Sequence, residues 1–191
     1  MSSSEDQFRV ETAMDVLLVL LYAGSKKIRE TIAGITKLEK LVYLLKKETS
    51  LSKLVDENFT YEPYHFGPYS AEVLDNIEAL EELGLVKAIS VPSESYVEES
   101  DRYQVGAQVK ESDTDSNAPQ QIGNMDVFEL TDDGVKVAQT LFKSMDHQQQ
   151  QEITQLKDRF NSLDLRQLLR YVYTKYPEST TESKIKDYVL A

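Results

Sequence analysis

Apolar residues recur at three- and four-residue spacing along most of the chain, and the pattern breaks mainly in the middle. Val10, Met14, Leu17, Leu18 and Leu21 form one stripe, widened by Val16, Val19 and Leu20, and predict a first helix over Phe8–Ala23 at the centre of the core. Gly24 ends it. Leu38, Leu41, Val42 and Leu45 predict a second helix over Thr36–Glu48. Thr36 and Glu39 there have capping-box spacing, and Lys37, Lys40, Lys46 and Lys47 face out or flank the stripe. A short helical turn is expected around Leu51–Val55. Val73, Leu74, Ile77 and Leu80 predict a third helix over Ala71–Leu83, entered through a Ser70 cap and closed by Gly84.

Between the second and third helices the segment Phe59-Thr-Tyr-Glu-Pro-Tyr-His-Phe-Gly-Pro-Tyr69 carries five aromatics, two prolines and a glycine. Pro63 and Pro68 forbid a regular helix, so it reads as an ordered loop whose aromatics pin it to the core. After Gly84 the periodicity changes. Leu85–Val91, Arg102–Lys110 and Met125–Leu130 read as strands, and Glu111–Gln121 as a mobile polar loop, together a long wing. Thr131-Asp-Asp-Gly134 opens a further helix with Val135, Ala138, Leu141, Phe142 and Met145 inside. A polar stretch, His147–Glu152, precedes Ile153, Leu156, Phe160 and Leu163, so residues 134–162 form either one long helix or two. Leu165, Leu168, Leu169 and Val172 predict a last helix over Asp164–Tyr176, stopped by Pro177, and a short turn is expected over Ser183–Leu190.

The expected fold is mainly alpha with a small antiparallel sheet. It divides into a winged-helix-like domain over 8–145, with an acidic wing at about 92–126, and a helical extension over 146–191 that offers a dimer or partner contact.

Composition narrows the chemistry. The chain has 191 residues, no cysteine and two histidines, His65 and His147, which excludes thiolate chemistry and a three-histidine metal site. No Gly-rich phosphate loop, nucleophile elbow or calcium-loop pattern is present, so no enzyme activity, cofactor or metal is expected. The most apolar run, Val16–Leu21 inside Ala13–Ala23, is far short of the roughly 18 residues of a membrane span. Without a basic, cleavable leader either, a cytoplasmic location is expected.

The net charge of −12 is unevenly spread: residues 25–53 carry eight bases against three acids, and residues 54–134 three bases against 19 acids. An anion or DNA surface would therefore be built from Lys26, Lys27, Arg29, Lys37, Lys40, Lys46 and Lys47, unless these simply solvate helix faces.

Two phrases sharpen the fold. Asn76-Ile-Glu-Ala-Leu-Glu-Glu-Leu-Gly-Leu-Val86 resembles the third helix of winged-helix regulators and its exit into the wing, and Phe128-Glu-Leu-Thr-Asp-Asp-Gly134 their last wing strand and next cap, as in PadR-like and MarR-like regulators. A narrower likeness lies in Thr36-Lys-Leu-Glu-Lys-Leu-Val-Tyr-Leu-Leu45 followed by Tyr64-His-Phe-Gly-Pro-Tyr-Ser70, which is similar to the Panacea domain and YwgA-like proteins. That resemblance implies an antitoxin-like role of the SocA kind, with neutralisation of a toxin or its delivery to proteolysis. The chain differs in lacking a tryptophan by the Gly-Pro turn and in carrying the acidic wing and the C-terminal helices.

A winged helix that reads DNA puts its third helix in the major groove and needs donors there. Ala71–Leu83 instead holds five acids and no Lys or Arg. Glu72, Asp75, Asn76, Glu78, Glu81 and Glu82 are expected on its outer side, with Asn76 the one base reader. That surface suits a basic protein partner. The aromatic turn Tyr64, His65, Phe66, Gly67, Pro68 and Tyr69, with Tyr61, supplies either interface anchors or ballast against the core. Arg166, Arg170 and Tyr173 share a strip that serves either a homodimer or partner contact, or internal packing with snorkelling arginines. The leading expectation is a non-enzymatic regulatory adaptor. The alternative is a transcription regulator that contacts DNA through the basic residues of 26–53.

Overall fold

A computed structural model describes residues 9–24, 30–92 and 124–191. Helix α1 spans Ala13–Tyr22, shorter at its start than the stripe predicts, because Thr12 and Asp15 close a capping box (Asp15 N to Thr12 Oγ1 3.2 Å, Thr12 N to Asp15 Oδ2 2.9 Å). Val16–Leu21 are all buried, so the helix is the centre of the core.

Strand β1, Ile32–Ala33, is too short for alternation to reveal. It leads through Gly34, at φ +87°, into α2, Ile35–Glu48. Gly34 is therefore the N-cap, not Thr36, and no side chain caps this end. Every residue from Lys37 to Leu45 is buried, so α2 has no wet side over two turns. Helix α3 follows over Ser52–Asn58.

The aromatic turn is a hairpin rather than a loop: β2, Glu62–Tyr64, pairs antiparallel with β3, Gly67–Tyr69. Pro63 stands opposite Pro68, where the ladder needs neither missing N–H. Helix α4, Ala71–Glu82, ends in a Schellman turn at Gly84 (φ +69°), with Leu85 N on Leu80 O at 3.0 Å and Gly84 N on Glu81 O at 2.9 Å. Ser70 precedes α4 without capping it; its hydroxyl donates to Glu72 instead.

Strand β4, Val86–Pro92, pairs antiparallel with β5, Asn124–Leu130, and β5 pairs with β1, giving the sheet order β1-β5-β4. The expected strand Arg102–Lys110, the loop Glu111–Gln121 and the body of the acidic wing lie outside the described residues.

Thr131 then caps α5, Asp132–Ser144, by accepting from Gly134 N at 3.0 Å. Helix α6 runs over His147–Phe160 behind a capping box of Asp146 and Gln149, so residues 134–162 form two helices. Gln150 Nε2 closes the break by donating to Phe142 O and Met145 O. Helix α7, Leu165–Lys175, begins on an Asp164–Gln167 capping box; a 3-10 turn, Pro177–Thr180, and a short helix α8, Lys186–Leu190, follow.

The architecture is mainly helical with small antiparallel sheets. Ile153, Leu156, Phe160, Leu168, Leu169, Val172, Tyr173 and Val189 belong to the same buried cluster as α1, α2 and α4. The segment 146–191 is thus part of the core rather than an appendix to it.

Candidate functional site

Helix α4 buries Val73, Ile77 and Leu80, and the opposite side is wet. Ala71, Leu74, Asp75, Glu78 and Glu82 are exposed at helical spacing, one face with three carboxylates and two apolar side chains. The other candidates on this helix are committed internally. Glu72 Oε2 accepts from Ser70 Oγ at 2.6 Å; burial works against its charge, but hydrogen bonds from Ser70 and Thr60 prevail and hold its pKa below the usual value. Asn76 Nδ2 donates to Glu72 O at 2.7 Å, which occupies one amide hydrogen of the one expected base reader. Glu81 Oε1 accepts from Ala88 N at 2.7 Å, capping a backbone donor on the outer side of β4.

Of the expected basic surface, two of the described lysines are buried. Lys40 has no exposed surface: its Nζ donates to Pro68 O at 2.8 Å and lies 3.3 Å from Glu39 Oε2. Desolvation lowers the Lys40 pKa and raises that of Glu39, each partly offset by the other. Lys37 is also buried, donating to Asn161 O at 2.8 Å and Leu163 O at 2.7 Å, and so closing the C-terminal end of α6. Neither lysine can meet a phosphate. Lys46 pairs with Asp56 at 2.5 Å, and Lys47 pairs with Glu178 at 3.4 Å above the rings of Tyr43 and Tyr176. Lys26, Lys27 and Arg29 lie outside the described residues.

The hairpin holds some of its aromatic turn against the core and leaves Tyr64 exposed. Tyr61 packs edge-on against Tyr43 and donates to Glu39 O at 3.0 Å. Phe66 is half-buried, and Gly67 and Pro68 are buried. Gly67 has φ +87°, and a Cβ there would stand 2.8 Å from Tyr173 Cε1. The backbone of His65 is held from the far end of the chain, accepting from Lys184 N at 3.1 Å and Ser183 Oγ at 3.3 Å. Tyr64, by contrast, is 44% exposed, with its ring stacked on His65 at 4.2 Å and tilted against Tyr69 at 5.0 Å.

The C-terminal strip is taken up internally. Tyr173 is buried, its hydroxyl 2.9 Å from Ser183 Oγ, and burial raises its pKa to about 12. Arg166 donates to Tyr188 O at 3.1 Å with its guanidinium 4.6 Å over the Tyr188 ring, and Arg170 donates to Leu190 O at 3.1 Å. Both arginines thus serve the last carbonyls of α8.

Two further clusters escaped the sequence reading. Lys157 has no exposed surface; its Nζ donates to Leu21 O at 2.6 Å and Glu30 O at 3.2 Å, and desolvation lowers its pKa to about 8 despite Glu30 and Asp158. Its spacing from Ile153 and Phe160 places it on the buried stripe, a signal that was available. Glu48 Oε1 accepts from Tyr171, Tyr176 and Lys175 at 2.8, 2.9 and 3.0 Å, joining α2 to α7. No local pattern announces that convergence.

Among the described residues no group of three or more His, Asp or Glu is placed to hold a metal ion, and no helix is long and apolar enough to cross a membrane. The chain matches no protein-family model, no curated protein and no solved structure.

Proposed function

We propose that the protein is a non-enzymatic regulatory or adaptor module of winged-helix type that binds a basic protein partner through the wet face of α4. The antitoxin-like role implied by the Panacea resemblance is one setting in which such a partner occurs. What supports the fold reading is the order of α1, β1, α2, α4, β4 and β5 along the chain, with β5 lying between β1 and β4 in the sheet. The observation that carries the binding reading is the exposure of Asp75, Glu78 and Glu82 on one face of a helix with no base of its own. Such a face steers a cation-rich surface toward it and repels phosphate. The DNA reading loses Lys37 and Lys40 to burial.

The test is affinity capture from the native cell with the wild-type chain and with a D75K/E78K/E82K variant. Glu72 and Glu81 stay untouched, because their carboxylates hold Ser70 and Ala88. The wild type is expected to retain a basic protein that the variant loses. Equal retention counts against the surface. Binding to duplex DNA that weakens steeply with added salt would put the transcription-regulator reading in its place.

A further inference from the structure

Among the described residues β4 is the terminal strand of its sheet, and its outer edge is held shut at one point. Thr131 N donates to Leu85 O, so the ladder turns Leu85, Lys87, Ile89 and Val91 toward β5 and leaves the backbone groups of Val86, Ala88, Ser90 and Pro92 facing away from it. Ala88 N accordingly donates outward, to Glu81 Oε1 of α4 at 2.7 Å. An N–H spent on a carboxylate is not spent on a strand, so no ladder crosses the edge at Ala88. Pro92 brings no donor at all. A charged side chain on the edge and a proline at its end are means by which sheet edges are kept from pairing with other chains.

What the edge is kept from follows from its composition. The chain carries 33 acids and a net charge of −12, yet no acid falls within Val86–Pro92. The one charged residue of the strand, Lys87, pairs with Glu129 across the ladder. The strand is thus a neutral strip on a chain that otherwise repels its own copies. Ile89, opposite Val127 of β5, is 40% exposed. Two such strands are complementary to each other. Antiparallel about a two-fold axis, with Ile89 against Ile89, Ala88 of each copy stands opposite Ser90 of the other and the two exchange both backbone hydrogen bonds. The isoleucines then meet at the non-hydrogen-bonded position, where side chains lie closest. Both hydrogen-bonded pairs need Ala88 N, the atom that Glu81 holds.

We infer that the outer edge of β4 is a self-association surface for a second copy of this chain, and that Glu81 keeps it closed by occupying Ala88 N. The guard comes from α4, which leads directly into β4 through the Gly84 turn, so folding itself sets it in place. Asp75, Glu78 and Glu82, on the wet face of the same helix, take no part in it.

Sedimentation equilibrium of the full chain over a concentration series measures the association. Two guarded amides per interface, each hydrogen bond worth about fivefold, give E81A a dimer dissociation constant about 25-fold below that of the wild type. E81Q keeps an acceptor for Ala88 N and should stay close to the wild type. In the E81A background, S90P removes an edge donor and I89K sets like charges across the two-fold; each should return the constant toward the wild-type value, with circular dichroism checking that the variants stay folded. E81A sedimenting as the wild type overturns the inference. So does association of E81Q equal to that of E81A, which assigns the effect to charge alone, or association of E81A that persists undiminished in the folded second-site variants, which places it away from β4.

Discussion

Gly134 is closely packed against Leu85, and replacing it with alanine tests how α5 is seated. Its backbone lies on a chain crossing: a Cβ there would stand 1.8 Å from Leu85 O and 2.8 Å from Leu85 C. An ordinary carbon–oxygen contact needs about 3.2 Å, so the start of α5 must retreat by more than about 1 Å. That movement strains the anchor, in which Thr131 N donates to Leu85 O at 3.0 Å and Thr131 Oγ1 to Gly84 O at 2.7 Å. It also draws Ala138 and Leu141 out of the core they share with α1. Two weakened hydrogen bonds cost about 1 kcal/mol each and misfit in the core about 1–3 kcal/mol, less about 1 kcal/mol for alanine's better helix propensity. The expected net loss is about 2–4 kcal/mol. Gly84 is the control: it has φ +69° and nothing within 4 Å of a built Cβ, so Gly84→Ala meets backbone strain alone. After the entropy gained by restricting the unfolded chain, that costs about 1 kcal/mol. Guanidinium unfolding of both variants should rank Gly134→Ala well below Gly84→Ala. A Gly134→Ala protein within about 1 kcal/mol of wild type, or more stable than Gly84→Ala, would refute the close crossing of α5 over Leu85.

Stability should peak on the alkaline side of neutrality. Lys157, lowered to about 8, and Lys37 and Lys40, lowered by the same desolvation, each carry a penalty that is complete below the folded pKa and relieved as pH rises toward the ordinary lysine value. Tyr173 and Tyr176, both raised to about 12, stabilise the fold below pH 10 and lose that contribution above it. Urea unfolding should show a gain of about 1 kcal/mol from pH 7 to 9 attributable to Lys157, absent in Lys157→Met; a flat or falling profile in the wild type would contradict the burial of this amine. Lys40→Met should cost about 3–5 kcal/mol, since it strands the Glu39 carboxylate and the Pro68 carbonyl, and adding Glu39→Gln should restore much of the loss. If that second change restores nothing, as read by the urea midpoint, the two charges are not coupled.

The helices were legible because their apolar stripes are long and their boundaries carry ordinary punctuation: Thr131, Asp146 and Asp164 all cap, and Gly84 and Pro177 end their helices as expected. What escaped had a different physics. Strand β1 has two residues, shorter than any alternation, and exists only because β5 lies beside it. The hairpin at Glu62–Tyr69 was hidden by prolines that usually argue against a ladder. Lys37, Lys40 and Lys157 were read as solvated, or not read at all, because charge outweighed position. Each is in fact spent on backbone carbonyls, those of Asn161 and Leu163, of Pro68, and of Leu21 and Glu30. Of the acidic face, the sequence could show which side of α4 is polar. It could not show that Glu72, Asn76 and Glu81 are held by Ser70, by the backbone and by β4.

The Lys-Leu-Glu-Lys-Leu stretch of α2 and the Gly-Pro-Tyr turn are one physical unit: Lys40 of the first bonds the carbonyl of Pro68 in the second. A lysine inside an apolar helix is unfavourable unless an acceptor meets it, and a turn carbonyl buried against that helix is unfavourable unless a donor meets it. Each motif therefore requires the other, whatever the protein binds. The exposed side chains, among them those of the proposed partner surface, are different ones: Tyr64 at the edge of the hairpin, and Asp75, Glu78 and Glu82 on the wet side of α4. None of those four is required by the buried lock. Chains that share the lock should thus share the position of the hairpin against α2 and remain free to differ in partner. Exchanging Asp75, Glu78 and Glu82 should accordingly alter binding while leaving the unfolding midpoint nearly unchanged, whereas Lys40→Met should shift that midpoint strongly.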